Sequence, residues 1–194
     1  MSEQELRDLY VYDQPVLGPE GTCSMRKKDP KQFSLAEVYG IPLDDKLQDN
    51  PKTKRLQILT NLVKKLQDQA QPNWLGIYRT IDHNGTPTLL KEAYQGEFSR
   101  PLFPLTPSWS QISTNSLVGT TGKVRLISNT QTAEGPYYEC SNKVKSEFCA
   151  PIINKEGTVL GIIDAESWEE NFFNPTRIAQ ILKVCYDISQ WELY

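Results

Sequence analysis

Two apolar runs near the C-terminus form the clearest pattern in the chain. Residues 148–153 and 158–163 are apolar, and the tetrad Asn-Lys-Glu-Gly at 154–157 separates them. Turn residues between two β-prone runs predict a β-hairpin in this part of the chain.

Three acids stand at the outer ends of this hairpin, namely Glu147, Asp164 and Glu166. Side chains alternate between the two faces of a sheet, so the length of the loop decides which acids share a face. With residues 154–157 as the loop, Glu147 lies opposite Asp164, and with a two-residue loop at 156–157 it lies opposite Glu166. Both loops put all three carboxylates on one face, whereas a three-residue loop would turn Glu147 to the other face.

Such a cluster of carboxylates has two interpretations. Like charges opposite each other on neighbouring strands destabilise the pair, by a few tenths to ~1 kcal/mol. A bound cation or ammonium group offsets that repulsion, and so does a carboxyl group whose pKa is raised enough for it to keep its proton. The alternative is that the acids lie at frayed, solvated strand ends and repel each other only weakly.

Helix and strand patterns precede the hairpin, and a helix follows it. Asn50-Pro51 is typical of a helix start, and leucine and valine recur at helical spacing from there towards Pro72. Asn174-Pro175 begins a second helix with an apolar stripe. Between the helices lie further expected strands, at residues 73–81, 88–94 and 124–128. These elements predict an α+β fold, in which an antiparallel sheet carries the N- and C-terminal helices packed on one face.

Length and composition narrow the class of protein. A chain of 194 residues suffices for one domain plus an extension. We expect an N-terminal extension of unknown role at 1–48 and the folded domain at 49–194. The net charge of -3 gives no basic surface for nucleic acid. No apolar run reaches the ~20 residues of a membrane span, and the polar N-terminus does not resemble a signal peptide.

Residues that commonly carry catalysis are few. The single histidine, His83, lies in an Asp-His-Asn-Gly turn, which argues against a Ser-His-Asp centre and against a His-rich metal site. No glycine-rich phosphate loop is present. Four unevenly spaced cysteines without an export signal indicate reduced thiols, so we expect a cytoplasmic protein. Cys185 falls on the apolar stripe of the last helix and is expected in the core.

Several motifs resemble the GAF domain family, and among its members the free methionine-(R)-sulfoxide reductases. The motifs are NWLGIY (73–78), AYQG (93–96), LVGT (117–120), the interval from Cys140 to Ser146-Glu147, and GIIDAES (161–167). The resemblance implies a small closed pocket over the sheet that holds free methionine sulfoxide. The residues matched to that pocket are the aromatics Trp74 and Tyr78 and the acids Glu147, Asp164 and Glu166. The acids are implied to bind the ammonium group and to act near the sulfoxide, although the family more often has Asp at the position of Glu166.

The cysteines match the family only in part. Cys140 corresponds to its nucleophile, which attacks the sulfoxide sulfur and becomes a sulfenic acid. The partner cysteines that regenerate this nucleophile are replaced by Arg100 and Val118. Cys149 shares the strand face of Glu147, and it is either an internal resolving thiol or a small buried core residue.

Two functional hypotheses of different classes follow. In the first, the chain is a binding or sensing module for a small amino-acid-like ligand, with an incomplete cysteine relay. In the second, it is an active methionine-(R)-sulfoxide reductase that uses Cys140, with thioredoxin or a small thiol as reductant and no bound cofactor. A cyclic-nucleotide sensor is a weaker alternative, because a pocket with three acids is a poor host for phosphate. Trp191 and Tyr194 either form a homodimer contact or cap the core.

Overall fold

The computed structural model describes residues 2–16, 30–44, 47–138 and 141–191. The helices are α1 (Glu3–Asp8), α2 (Leu35–Tyr39), α3 (Pro51–Ala70), α4 (Pro107–Ser110), α5 (Thr114–Thr121) and α6 (Pro175–Ser189). The strands are β1 (Val11–Gln14), β2 (Lys31–Ser34), β3 (Trp74–His83), β4 (Thr86–Gln95), β5 (Leu102–Pro104), β6 (Arg125–Ile127), β7 (Ser146–Ile153) and β8 (Val159–Ser167).

An antiparallel sheet forms the centre of the fold. Within the described residues it has six strands, in the order β5-β4-β3-β8-β7-β6. The two long hairpins, β3–β4 and β7–β8, meet in the middle, where β3 pairs with β8. This arrangement confirms the predicted α+β class and adds one short strand, β5, that the sequence analysis did not anticipate.

The two predicted helix starts are confirmed. Asn50 caps α3 by accepting a hydrogen bond from the Lys52 amide, and Asn174 caps α6 by accepting one from the Arg177 amide. α3 ends at Gln71, which has a left-handed φ of 57°. None of the described helices is both long enough and apolar enough to span a bilayer.

The main core lies between the helices and one face of the sheet. Leu59 and Val63 of α3 and Ile181 of α6 pack there against sheet residues that include Ile77 and Ile163. α3 and α6 therefore cover the same face of the sheet, as predicted. The opposite face is not covered by these two helices.

The described part of the N-terminal extension packs on the domain. β1 and β2 pair as a two-stranded antiparallel ribbon. Tyr10 and Leu35 are fully buried, in a cluster with Leu56 of α3 and Leu90 of β4. The Tyr10 hydroxyl lies 2.7 Å from Thr53 Oγ1, within hydrogen-bond distance. The extension is thus attached to both a helix and the sheet.

A buried ion pair strengthens this attachment. Arg55 of α3 pairs with Glu92 of β4, and their side chains are 5% and 0% exposed. Tyr39 of α2 donates a hydrogen bond to the same Glu92 oxygen. Arg55 Nη2 in turn donates to the Tyr39 oxygen at 3.0 Å. One carboxylate therefore joins the extension, the first long helix and the sheet.

Candidate ligand-binding site

The β7–β8 hairpin puts all three acids on one face of the sheet. Glu147 pairs with Glu166, and Cys149 pairs with Asp164, so the predicted shared face is confirmed. The turn itself differs from the two loops that predicted this shared face and is the three-residue loop. The Asn154 amide donates to the carbonyl of residue 158, which leaves three residues in the turn.

One extra residue in β8 restores the shared face. Ile153 pairs with Val159, whereas the preceding residue, Ile152, pairs with Gly161. Leu160 is therefore a β-bulge, with two residues of β8 opposite one interval of β7. Without it, the three-residue turn would have directed the acid of β7 away from the acids of β8.

A small cavity lies over the acids, on the sheet face opposite the main core. Its walls are formed by Trp74, Tyr78, Ser99, Phe103, Ser113, Thr114, Asn115, Tyr138, Glu147, Asp164 and Glu166. The five residues matched to a pocket by the resemblance therefore line one cavity. The centre of a water molecule can move through only about 10 Å³ of it, which is roughly the room for one water. A larger ligand can enter only if the loops above the cavity move.

Trp74 forms a fixed wall of this cavity. Its ring lies over Gly76, where a Cβ atom would overlap the indole, and beside Gly96. Gly96 has a φ of +120°, a conformation that favours glycine. The indole N–H donates to the carbonyl of Glu97 at 2.8 Å. The ring centroids of Trp74 and Tyr78 are 6.4 Å apart, so the two aromatics form one surface.

The start of α5 faces the acids with buried polar side chains. Thr114 Oγ1 donates to Glu147 Oε2 at 3.3 Å. The Asn115 side-chain oxygen accepts a hydrogen bond from the Cys149 thiol, with the sulfur 3.7 Å away. Ser113 caps the helix by accepting an amide hydrogen bond. Sequence analysis missed these cavity residues, because a run of Ser, Thr and Asn is typical of a surface loop.

The acid pair at the centre binds protons more tightly than exposed carboxyl groups do. Glu147 and Asp164 are 4% and 3% exposed. Burial, and then the charges of Asp164 and Glu166, raise the pKa of Glu147 well above its ordinary value. Burial raises the pKa of Asp164 to about 7, although hydrogen bonding by Asn115 and Glu147 opposes this rise. Asp164 Oδ1 is buried and accepts no hydrogen bond from the described residues. The pair therefore retains a proton near neutral pH.

Arg100 lies inside the lid of the cavity, where the resemblance implies a cysteine. Its guanidinium carbon is 4.4 Å from the centroid of the Trp109 ring. Its Nη1 donates to Tyr138 Oη at 3.5 Å. The Tyr138 ring in turn meets Phe103 edge-on, with centroids 5.8 Å apart. Arg100 thus joins the aromatic side chains that close the cavity. Val118, at the other expected cysteine position, is fully buried.

Comparison with known proteins defines the fold. No protein-family model and no curated protein sequence matches the chain. The type II free methionine-R-sulfoxide reductase from Thermoplasma acidophilum is similar, with a TM-score of 0.59, 19% identity, and coverage of 69% of this chain and 88% of that one. A solved GAF domain has a TM-score of 0.59 and 20% identity, over 68% of this chain and 73% of its own. The chain has a GAF fold. Free methionine-R-sulfoxide reductase from Neisseria meningitidis, in complex with its substrate, is also similar, with a TM-score of 0.54, 20% identity, and coverage of 68% and 77%.

The cysteines of this GAF fold have different environments. Cys140, the predicted nucleophile, and Cys23 lie outside the described residues. Cys149 is fully buried, and burial together with the charges of Asp164 and Glu147 raises the pKa of its thiol well above the ordinary value. Such a thiol is a poor nucleophile in this conformation. Cys185 lies in the main core, as predicted.

The C-terminus of the GAF fold bears on the homodimer hypothesis. Trp191 packs against the main core, which is one of the two alternatives considered for it. Tyr194 lies outside the described residues. A homodimer contact through these residues therefore stays a prediction.

A second small cavity adjoins the first in the GAF fold and shares Trp74, Ser99 and Glu166 with it. Lys143 contacts two residues that line this second cavity, with its Nζ 2.6 Å from Glu97 Oε1 and 4.8 Å from the centroid of the Trp168 ring. The ion pair is partly exposed, and such pairs contribute only ~0–1 kcal/mol. Among the described residues, no cluster of three or more His, Cys, Asp or Glu side chains could hold a metal ion.

Proposed function

We propose that the chain binds a small molecule with a primary ammonium group, such as a free amino acid or its sulfoxide, in the acid-lined cavity. The observation that carries this proposal is the buried pair of Glu147 and Asp164, in which Asp164 Oδ1 has no hydrogen-bond donor within the part of the chain that the structure describes. A buried carboxylate is costly unless an opposite charge and hydrogen bonds meet it. An ammonium group supplies both, since it carries one positive charge and three donors.

The aromatic walls suit the side chain of such a ligand. Trp74, Tyr78 and Phe103 offer apolar surface beside the acids. Sulfur atoms make favourable contacts with aromatic rings, of about 0.3–1.5 kcal/mol each. Similar folds from Thermoplasma acidophilum and Neisseria meningitidis are described as free methionine-R-sulfoxide reductases. Methionine and its sulfoxide are therefore the first ligands to test.

Calorimetric titration of the full chain with L-methionine and with L-methionine (R)-sulfoxide tests this proposal. We expect Asp164→Asn to lower the affinity at least 10-fold at pH 8, where Asp164 is ionised, because the ligand loses a charged hydrogen-bond acceptor worth about 1.5–3 kcal/mol. The exposed Glu170→Gln is the matched control and should bind as the unchanged chain does. The decisive comparison uses analogues that lack the amino group. If they bind as tightly as the amino acids, the ammonium group is not what the acids recognise.

A second candidate function is reduction of free methionine-(R)-sulfoxide, and the raised pKa values of the acid pair favour it. The Cys140 thiolate would attack the sulfoxide sulfur, and a pocket carboxyl would protonate the oxygen. The S–O bond then breaks, methionine leaves, and Cys140 takes the oxygen as a sulfenic acid. A thiol of thioredoxin or a small thiol then condenses with that sulfenic acid, which releases water and leaves a mixed disulfide, and a further thiol reduces this disulfide and releases Cys140 as a thiol.

Counting turnovers separates the two candidates. The chain is incubated with free methionine-(R)-sulfoxide and excess dithiothreitol, and the methionine formed is compared with the amount of protein. Several turnovers that disappear in Cys140→Ser would establish the reductase. Ligand binding without methionine formation would leave the binding function alone.

A further inference from the structure

A fully buried lysine lies beside the cavity and is not part of its lining. Lys91 is 0% exposed, and its Nζ donates to both the carbonyl and the hydroxyl of Ser99, each at 2.8 Å. Three aromatic rings surround the ammonium group, with centroids 4.1 Å away for Tyr94, 5.0 Å for Tyr12 and 5.8 Å for Trp74. Cation–π contacts of this kind stabilise an ammonium group in a site from which water is excluded.

A second β-bulge directs Lys91 to this position. Ile77 pairs with Ala93, but the next residue of β3, Tyr78, pairs with Lys91. Glu92 is therefore the extra residue, and Lys91 comes to the same face of the sheet as Tyr78. Glu92 itself forms the buried ion pair with Arg55 described above.

The backbone of Lys91 is held from two sides as well. Its amide donates to the carbonyl of Pro101 at 2.8 Å. Its carbonyl accepts a hydrogen bond of 2.7 Å from Tyr12, which belongs to the N-terminal extension. The rings of Tyr12 and Tyr94 meet edge-on at 5.4 Å. The extension thus contacts the residue that holds the β4–β5 loop.

The loop held by Lys91 matters to the site because Ser99 lines both small cavities. Trp74, which lines both cavities as well, is bonded to the same loop at Glu97. Displacing Ser99 would therefore open the acid-lined cavity on the side that faces the second cavity.

We infer that Tyr12 and Lys91 are positioning residues, which hold Ser99 and the β4–β5 loop closed over the acid-lined cavity. The N-terminal extension is then a working part of the site, because it supplies Tyr12. The effect on ligand affinity rests on the proposed function, whereas the closed position of the loop does not.

Hydrogen exchange of the ligand-free full chain tests the loop directly. In Lys91→Met the side chain keeps its apolar stem but loses both bonds to Ser99, so the amides of residues 97–103 should exchange at least 10-fold faster. Tyr12→Phe removes one hydroxyl and should accelerate the same amides a few-fold. Tyr10→Phe removes the neighbouring hydroxyl of the extension, which contacts Thr53 instead, and should leave these amides unchanged.

A double variant distinguishes positioning from general destabilisation. Ser99→Ala should speed exchange of the same segment, and adding it to Lys91→Met should change the rate by less than twofold, because the Lys91–Ser99 contact is already lost. Faster exchange throughout the chain, equal effects of Tyr10→Phe and Tyr12→Phe, or unchanged loop amides in Lys91→Met would each overturn the inference. Faster release of L-methionine (R)-sulfoxide from Lys91→Met is the further expectation. If the parent chain itself does not bind that ligand, the proposed function fails for it, while the exchange result still decides the role of Lys91.

Discussion

Replacing Asp164 by Asn should change how the stability of the fold depends on pH. Burial raises the pKa of Asp164 from its ordinary 3.8 to about 7. The folded chain therefore binds the Asp164 proton more tightly than the unfolded chain does. Between these two pKa values the free energy of unfolding falls as the pH rises, because ionisation is favoured only in the unfolded chain.

The size of this effect follows from the pKa difference. About three pKa units correspond to about 4 kcal/mol in total, of which roughly 2 to 3 kcal/mol is lost between pH 5 and pH 8. Asn cannot ionise and keeps nearly the same shape, so the Asp164→Asn chain lacks this loss. The variant should gain stability relative to the parent as the pH rises.

Urea unfolding at pH 5, 6, 7 and 8, followed by circular dichroism, measures the effect. The difference in the free energy of unfolding between Asp164→Asn and the parent chain should rise from pH 5 to pH 7 and level off towards pH 8. Glu170→Gln, which replaces an exposed acid, should give a flat difference. A flat difference for Asp164→Asn, too, would mean that Asp164 is ionised in the folded chain, and the protonated acid pair would have to be abandoned.

Further predictions concern binding, the wall of the cavity and the extension. Affinity for L-methionine (R)-sulfoxide should rise roughly 10-fold from pH 6 to pH 8, because the ammonium group binds ionised Asp164. Asp164→Asn should abolish this pH dependence. An affinity of the parent chain that is constant with pH would contradict the prediction. Gly76→Ala should cost about 1–3 kcal/mol of stability and weaken ligand binding, because the new Cβ atom displaces the Trp74 ring; urea unfolding and calorimetry check this, and parent-like values would show that the ring is free to move. Arg55→Met should cost about 3–5 kcal/mol, because Glu92 is left buried without its partner, whereas Arg55→Met combined with Glu92→Leu should cost less; thermal unfolding of both variants measures the difference.

The strand pattern was sufficient to predict that the three acids share a face. Alternation of side chains led to this result for two of the three loop lengths considered. The turn that forms is the third, and the bulge at Leu160 compensates for it. The prediction was therefore correct although neither of its assumed loops forms. The bulge itself could not be predicted, because a bulge leaves no distinct pattern in a short apolar run.

Lys91 illustrates what pattern reasoning missed at the site. In the run Thr-Leu-Leu-Lys-Glu-Ala-Tyr, adjacent lysine and glutamate are typical of a solvated strand face. In the folded chain both charges are buried instead, and each has its own partners. Their burial depends on the rings of Tyr12 and Trp74 and on Arg55, all of which are distant in sequence. Only the folded chain brings these partners together.

The ribbon in the extension was missed for a related reason. β1 and β2 are four residues each and lie far apart in the chain, with prolines between them. Short segments of this kind carry little periodicity, and their pairing depends on the surface they cover. Here that surface includes Leu56 and Leu90.

The three-residue turn and the bulge of the β7–β8 hairpin also constrain which insertions and deletions this hairpin can accept during evolution. Inserting or deleting a single residue at the tip would exchange the cavity-facing and core-facing side chains of one strand. Only the simultaneous loss or shift of the bulge at Leu160 would prevent this. Gly161, beside the bulge, leaves no space for a side chain against the carbonyl of Tyr78. Length changes in this hairpin should therefore arise as compensated pairs, and a relative with a shorter tip should also have a straight β8.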